Sequence, residues 1–262
     1  MTSTSPAAAP LIERVRHPFA ARHVQVLARH AVSPGFVRLT LGGPALAGFV
    51  SAGFDDHVKL ILPQAGQERP SLPAMVDGRP HIDGPRPTMR DYTPLYHDAG
   101  ANTVQLEFAV HDGGPAVDWA LHAPVGQWVG LAGPRGSMLV APGLDWHLLL
   151  GDESAMPAIE RRLAELPAGT RAIVRVQLAN PADRRAWSSR AALDCGFTDS
   201  LLQAVEQLVL PAGSGFVWGA GEHALMSALR APLLGKGADA RRMRLSAYWK
   251  RGVAEHHEDI AG

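Results

Sequence analysis

One cysteine, Cys195, is all that the 262 residues contain. A single thiol excludes an intramolecular disulfide, a cysteine-ligated iron–sulfur cluster and a dithiol redox pair. Any electrons this chain moves must therefore travel on a bound organic cofactor. Neither sign of charge is in excess: 25 Lys and Arg balance 25 Asp and Glu, which argues against a general role on nucleic acid or at a membrane surface. No apolar run reaches the length of a membrane-spanning helix, and the opening residues MTSTSPAAAPLIERVRH lack the apolar core of a secretory leader. The expectation is a cytoplasmic protein with no membrane insertion. His-Glu-x-x-His and Cys-x-x-Cys are missing despite 12 histidines, and the adjacent His256 and His257 fall in a polar tail, so no metal is expected. The dinucleotide fingerprint Gly-x-Gly-x-x-Gly is missing as well.

What is present is a chain of 46% hydrophobic and 19% charged residues, the composition of a globular protein. Its grammar changes once. From about Ala20 to Ala141 the pattern is of short strands. In HVKLILP, Val58, Leu60 and Leu62 share one face; in VQLEFAVH, Val104, Leu106, Phe108 and Val110 do so. With QWVGLAG and the intervening Gly and Pro turns, these predict a small antiparallel barrel, interrupted between Pro63 and Met89 by one long loop. After Pro142, WHLLLG is a continuous apolar run of the kind a buried parallel strand shows. Helical and strand patterns then alternate through DESAMPAIERRLAEL, TRAIVRVQL, DSLLQAVEQLV, GFVWG, GEHALMSALRAPLLG and RMRLSAYWKRG. This half should be a parallel sheet covered on both faces. The expected division is a lead-in over 1–19, a β-barrel domain over 20–142 and an α/β domain over 143–262.

Four stretches carry candidate chemistry. RDYTPLY sets a cation, Arg90, an aromatic ring, Tyr92, and a hydroxyl, Thr93, side by side. Such a group is either an ordinary cross-strand ladder or a platform for something flat and negatively charged. HDGGPAVDWA, from His111 to Ala120, holds two glycines that let a ligand approach the backbone, then a helix start; a turn with Trp119 as a core residue weighs equally. Gly151, Asp152, Glu153 and Ser154 join the first strand of the second half to its first helix, where backbone N–H groups point outward. Trp218 to Glu222, through Gly219, Ala220 and Gly221, repeats that arrangement; both are either nucleotide loops or ordinary βα turns.

In this order, with GPRGS between the halves and AYWKRG at the end, the motifs resemble the ferredoxin reductase-like flavoproteins. More closely, the chain is similar to the siderophore-interacting protein family of flavin-dependent ferric-siderophore reductases. The stretches DDHVKLILP, MRDYTPLYHD, LEFAVHDGGPAVDWA, GPRGS, GDESAMPAIER, WGAGE and AYWKRG carry the likeness from about Arg22 to Gly252. The resemblance implies a six-stranded-type FAD-binding barrel followed by an NAD(P)H-binding α/β domain. It implies that Arg90 neutralises the cofactor phosphates, Tyr92 packs beside the isoalloxazine and Thr93 bonds the flavin. It also implies a pyrophosphate cradle from His111, Gly113, Gly114, Pro115, Ala116, Val117 and Trp119. Tyr248 and Trp249 either flank the flavin or pack a terminal strand. Val117 and Asp118 stand where the family commonly has Ser and Arg, and Leu95 where it often has a second Arg. A basic group of Lys59, Arg135 and Arg251, with Lys250 as an alternative to Arg251, is implied for an anionic, catecholate-type ferric siderophore. Arg184 and Arg185 follow the second strand of the α/β half, where an Arg suits the 2′-phosphate of NADPH and favours it over NADH. A monomeric reductase is expected. A flavoreductase with another acceptor, or a siderophore-binding module without catalysis, would share many of these features.

Overall fold

The computed structural model describes residues 11–111, 114–253 and 258–260. The first half is built from β1 (Ile12–Arg16), β2 (Ala21–Ser33), β3 (Phe36–Gly42), β4 (Val58–Ile61), β5 (Ala74–Val76), β6 (Arg79–His81), β7 (Met89–Tyr92), β8 (Tyr96–Asp98), β9 (Thr103–Ala109), the helix α1 (Pro115–His122), β10 (Trp128–Ala132) and β11 (Gly136–Val140). Seven of these strands pair in the order β7-β4-β10-β2-β3-β9-β8, all antiparallel. The seventh is the short strand β8, which extends the expected set of six. The sheet curls until Tyr92 of β7 lies against Phe108 of β9, ring centroids 4.2 Å apart, which makes the barrel. Its interior takes every second residue: Val24, Val26, Leu39, Leu41, Val58, Leu60, Leu106, Phe108, Val129 and Leu131 are buried together. The stretch from Pro63 to Met89 is not one structureless loop, because β5 and β6 form a hairpin within it. Asp77 and Gly78 both have positive φ, at 48° and 73°, the conformation that a two-residue type I′ turn requires.

The second half holds β12 (Trp146–Gly151), α2 (Met156–Glu165), β13 (Arg171–Gln177), β14 (Ala192–Thr198), α3 (Leu201–Gln207), β15 (Gly215–Glu222), α4 (His223–Gly235), β16 (Met243–Trp249) and β17 (Glu258–Asp259). The sheet order is β14-β13-β12-β15-β16-β17. All neighbours are parallel except β17, which returns antiparallel on β16. Every residue of β12 is buried, as its unbroken apolar run requires. Leu149 packs with Met156, Ile159 and Leu163 of α2, and Leu148 and Leu150 pack with Leu201, Leu229 and Leu233 of α3 and α4. Pro157 sits in the first turn of α2, where its missing N–H costs nothing.

The two sheets share a core. Phe36, Phe54 and Met138 from the first join Met156, Ile159 and Trp218 from the second in one buried cluster. Around it runs a set of charged ties. Glu107 of β9, with a side chain 1% exposed, accepts from Arg38 at 2.6 and 2.8 Å and from Arg185 at 2.9 Å. Arg38 also reaches Glu160 of α2 at 3.2 Å, and Glu160 accepts from the Tyr96 hydroxyl and the Trp187 indole. Buried Asp183 accepts from Ser33 Oγ at 2.6 Å and from Gly35 N at 2.7 Å.

Burial leaves one histidine uncharged. His147, 2% exposed on β12, has its pKa pushed down to about 3 by desolvation and by nearby Arg162. Its folded pKa lies below the unfolded value near 6.5. The stability tied to the neutral ring is therefore complete above pH 6.5 and is lost as pH falls toward 3. By pH 5 the loss should be about 2 kcal/mol from this residue. Chemical denaturation at pH 7 and pH 5 checks it: His147→Leu should lose about that much less between the two than wild type. Equal losses would mean that the ring does not titrate against folding.

Candidate functional site

The RDYT stretch resolves into two faces of β7. Lys59 faces Asp91 across the strand pair, its Nζ 2.9 Å from both carboxylate oxygens, and the pair is open to solvent. That outer pair is the ordinary ladder. On the other face, Arg90 stands opposite Leu60 and Tyr92 opposite Val58. The Tyr92 ring lies on the barrel core, and burial pushes its phenol well above the usual range while Arg90 pulls the other way. Arg90 is half-buried and donates from Nη1 to the carbonyl of Met89 at 2.7 Å. Thr93 is buried, and its side chain bonds the Tyr248 hydroxyl.

The HDGGPAVDWA stretch arrives beside them. Trp119 of α1 lies 6.4 Å from Phe108, the ring that Tyr92 touches from another side, and donates from Nε1 to Gln127 at 3.1 Å. Two motifs some twenty residues apart thus share one patch. Gly114 is the N-cap of α1, with no side-chain cap and with Pro115 after it. A Cβ on Gly114 would come within 2.7 Å of the His111 ring. Gly113 lies outside the described residues. Ala116 and Val117 are buried, so their side chains are turned into the protein, while Asp118 is exposed in the first turn of the helix. Leu95 is 1% exposed and belongs to the interior.

The start of α1 has no side-chain cap, so its dipole and backbone N–H groups would suit the phosphates of a diphosphate-linked flavin, and a guanidinium such as that of Arg90 would add a charge-assisted bond. Asp118 works against that fit and Val117 adds no hydroxyl to it, which leaves the backbone as the main donor.

The second site lies at the carboxyl ends of the parallel strands. Strand order reverses at β12, with β13 on one side and β15 on the other, and open α/β sheets bind ligands at such a switch point. A crevice of about 460 Å³ occupies it, lined by Asp152, Glu153, Gln177, Ala179, Asp199, Glu222, Leu225, Trp249 and Arg251. Asp152 is not a free charge aimed at a diphosphate. It is 4% exposed and accepts from Ser154 N and Oγ, Glu222 N and Trp249 Nε1. Glu153 accepts from Ala179 N at 2.5 Å, and Glu222 caps α4 through Leu225 N at 3.1 Å. Gly151 and Gly219 are tight: a Cβ on either would meet a neighbouring atom within 2.3 and 2.9 Å respectively. Ala220 is buried beside Gly221.

Tyr248 joins the two sites. Its hydroxyl bonds Asp55 and Thr93, and burial and Asp55 push its pKa well up. The next residue, Trp249, lies on the crevice and is 40% exposed. Trp249 is therefore anchored to the α/β half.

Arg185 is held between Glu107 and the Phe36 ring, 4.5 Å from its centroid, and so ties the two halves; Arg184 is exposed. Lys59 is paired with Asp91. The basic group is not assembled by direct contact among the described residues. Arg135 follows β10 three residues after Ala132, which stands opposite Lys59, but Arg251 sits on the crevice, its N–H 3.4 Å from Glu222 Oε1. Lys250 is exposed in the turn that bridges to Val253. Sequence reading missed Glu107, Asp55 and Glu160, whose partners are far along the chain.

An antiparallel barrel joined to a mostly parallel sheet with a crevice at its switch point is the two-part architecture expected from the motifs. The siderophore-interacting FAD-binding domain matches residues 25–138, and the siderophore-interacting protein domain matches residues 144–252. The chain is 38% identical over 248 residues to the NADPH-dependent ferric-chelate reductase of Escherichia coli, covering 90% of this chain and 96% of that one. It is 31% identical to the ferric vibriobactin reductase of Vibrio cholerae, over 87% and 89% of the two chains. A siderophore utilization protein from T. fusca superposes with a TM-score of 0.86 at 33% identity, over 94% and 98% of the chains. This chain belongs to the siderophore-interacting protein family. No described helix is long and apolar enough to cross a membrane.

Proposed function

We infer that this chain is an FAD-dependent ferric-siderophore reductase that draws electrons from NAD(P)H. The observation that carries the reading is the pair Tyr248 and Trp249: the Tyr248 hydroxyl bonds Asp55 of the barrel half, and the next residue, Trp249, is a wall of the crevice in the α/β half. The chemistry a bound flavin supplies is the splitting of a two-electron hydride into single electrons, which Fe(III) takes one at a time. Arg90 and the first turn of α1 hold the phosphates, and the Tyr92 ring, fixed on Phe108, orients the ring system. The crevice receives the nicotinamide donor, with Trp249 as one wall. Residues 20–142 serve as the flavin half and 143–262 as the donor half, and the protein acts in the cytoplasm as a monomer. The purified protein should be yellow, should bleach with NADPH without oxygen, and should deliver Fe(II) from a ferric siderophore to a ferrous trap. A colourless protein that still binds the ferric complex would replace the reductase with a binding module.

The siderophore is of the anionic, catecholate type. Arg135 is exposed with no side-chain partner among the described residues, and Lys59 carries a charge that Asp91 offsets. Arg135→Ala should weaken ferric catecholate binding about tenfold. Asp91→Asn should strengthen it about two- to fivefold by releasing Lys59, since an exposed pair is worth up to about 1 kcal/mol. Added salt should shrink both effects. Fluorescence quenching measures them, and unchanged affinity in both variants would remove these cations from the substrate face.

A further inference from the structure

Asp152 is the first of two acidic residues in the GDES loop, and its carboxylate is bonded to the protein on both oxygens. Its Oδ1 accepts from Ser154 N at 2.9 Å and Ser154 Oγ at 2.5 Å; its Oδ2 accepts from Glu222 N at 2.8 Å and Trp249 Nε1 at 2.9 Å. An ionised carboxylate has about four acceptor positions, and all are taken. The donors come from the ends of β12, β15 and β16. Gly221 makes room: its φ is +154°, and a Cβ there would lie 2.6 Å from Oδ2. Trp249 is 40% exposed at a strand end, so the bond to Asp152 is a main restraint on its ring.

We propose that Asp152 is a positioning residue of the crevice, fixing the Trp249 indole as the wall against which the nicotinamide donor binds, and that it does not itself touch the donor. This rests on the reading of the crevice as the NAD(P)H site. A fixed wall adds affinity because the ring is already ordered before the donor arrives. In Asp152→Asn the NH2 can turn to Ser154, whose Oγ can accept, and leave the carbonyl oxygen to Trp249, so the variant that removes the indole's acceptor is Asp152→Ala.

The test reads position and binding separately. In the 15N–1H spectrum the Trp249 indole resonance is identified by its loss in Trp249→Phe. Asp152→Ala should move it upfield, toward the value of an indole bonded to water. The same variant should raise the KM for NADPH about tenfold, the scale of a bond to a charged group, with the maximal rate of flavin reduction within about twofold. In a Trp249→Phe background, Asp152→Ala should add less than about twofold, because both act through one contact. Trp249→Phe alone leaves the other three bonds of Asp152 in place and should give most of the KM rise, so it carries the test if Asp152→Ala fails to fold. An unmoved resonance, or fully additive effects of the two substitutions, would overturn the positioning role while leaving the crevice as the donor site. A wild-type protein that binds no NADPH would overturn both, and the two failures are told apart by that first titration.

Discussion

Glu107→Ala is expected to lower the unfolding free energy by about 3–5 kcal/mol, the cost of removing one partner from a buried ion cluster. The carboxylate is 1% exposed, and its loss leaves Arg38 and Arg185, 20% and 10% exposed, without their shared anion. Arg38 keeps Glu160 at 3.2 Å, whereas Arg185 keeps only the Phe36 face and loses its one carboxylate among the described residues. Glu107→Gln retains the volume and one acceptor oxygen, so its loss should be smaller. Urea denaturation of the flavin-free proteins gives both values. A loss under about 1 kcal/mol for the alanine variant would mean that the cluster is not what holds the halves together.

Arg90→Ala should weaken FAD binding about tenfold or more and leave the fold intact. A hydrogen bond to a charged group is worth about 1.5–3 kcal/mol, and a guanidinium meeting a phosphate is of that kind. Arg90 is half-buried on a strand at the end of the sheet order, and its Nη1 bonds the Met89 carbonyl at 2.7 Å. The comparison must be made between flavin-free proteins, because a bound ligand raises the melting temperature by itself. Their midpoints should agree within about 2 °C. Wild-type flavin content in the variant would remove RDYT from the cofactor site.

The elements that could be read from the sequence are those whose period survives folding. WHLLLG is buried on every residue and reads as an unbroken apolar run; VQLEFAVH alternates in sequence and turns Val104, Leu106 and Phe108 to the core, with Glu107 buried between them on the other face. β14 was not foreseen, because ALDCGFT mixes Asp, Gly and Cys on a sheet edge with partial exposure and so lacks both patterns. The hairpin of β5 and β6 did leave a signal, the Asp77-Gly78 pair, hidden among prolines and arginines. Site residues follow a similar rule. Arg90, Tyr92 and Thr93 stand together in the chain and could be seen together. Asp152 and Trp249 are 97 positions apart and Glu107 and Arg185 are 78 apart, so nothing local marks either pair. Charge alone does not discriminate, since an Arg beside a cofactor loop and an Arg tying two sheets look the same in one dimension.

The ties around Glu107 bear on how freely such proteins can be recombined. Exchange of the second sheet between two relatives is an obvious way to graft one donor preference onto another flavin half. Here the seam is written in residues from both sides: Arg38 and Glu107 before it, Glu160, Asp183, Arg185 and Trp187 after it. A hybrid that carried one side of this set would bring its two parts together with unmatched charges in a water-poor seam. Inheritance of the seam as a block, not the position of the crossover, would decide which hybrids fold.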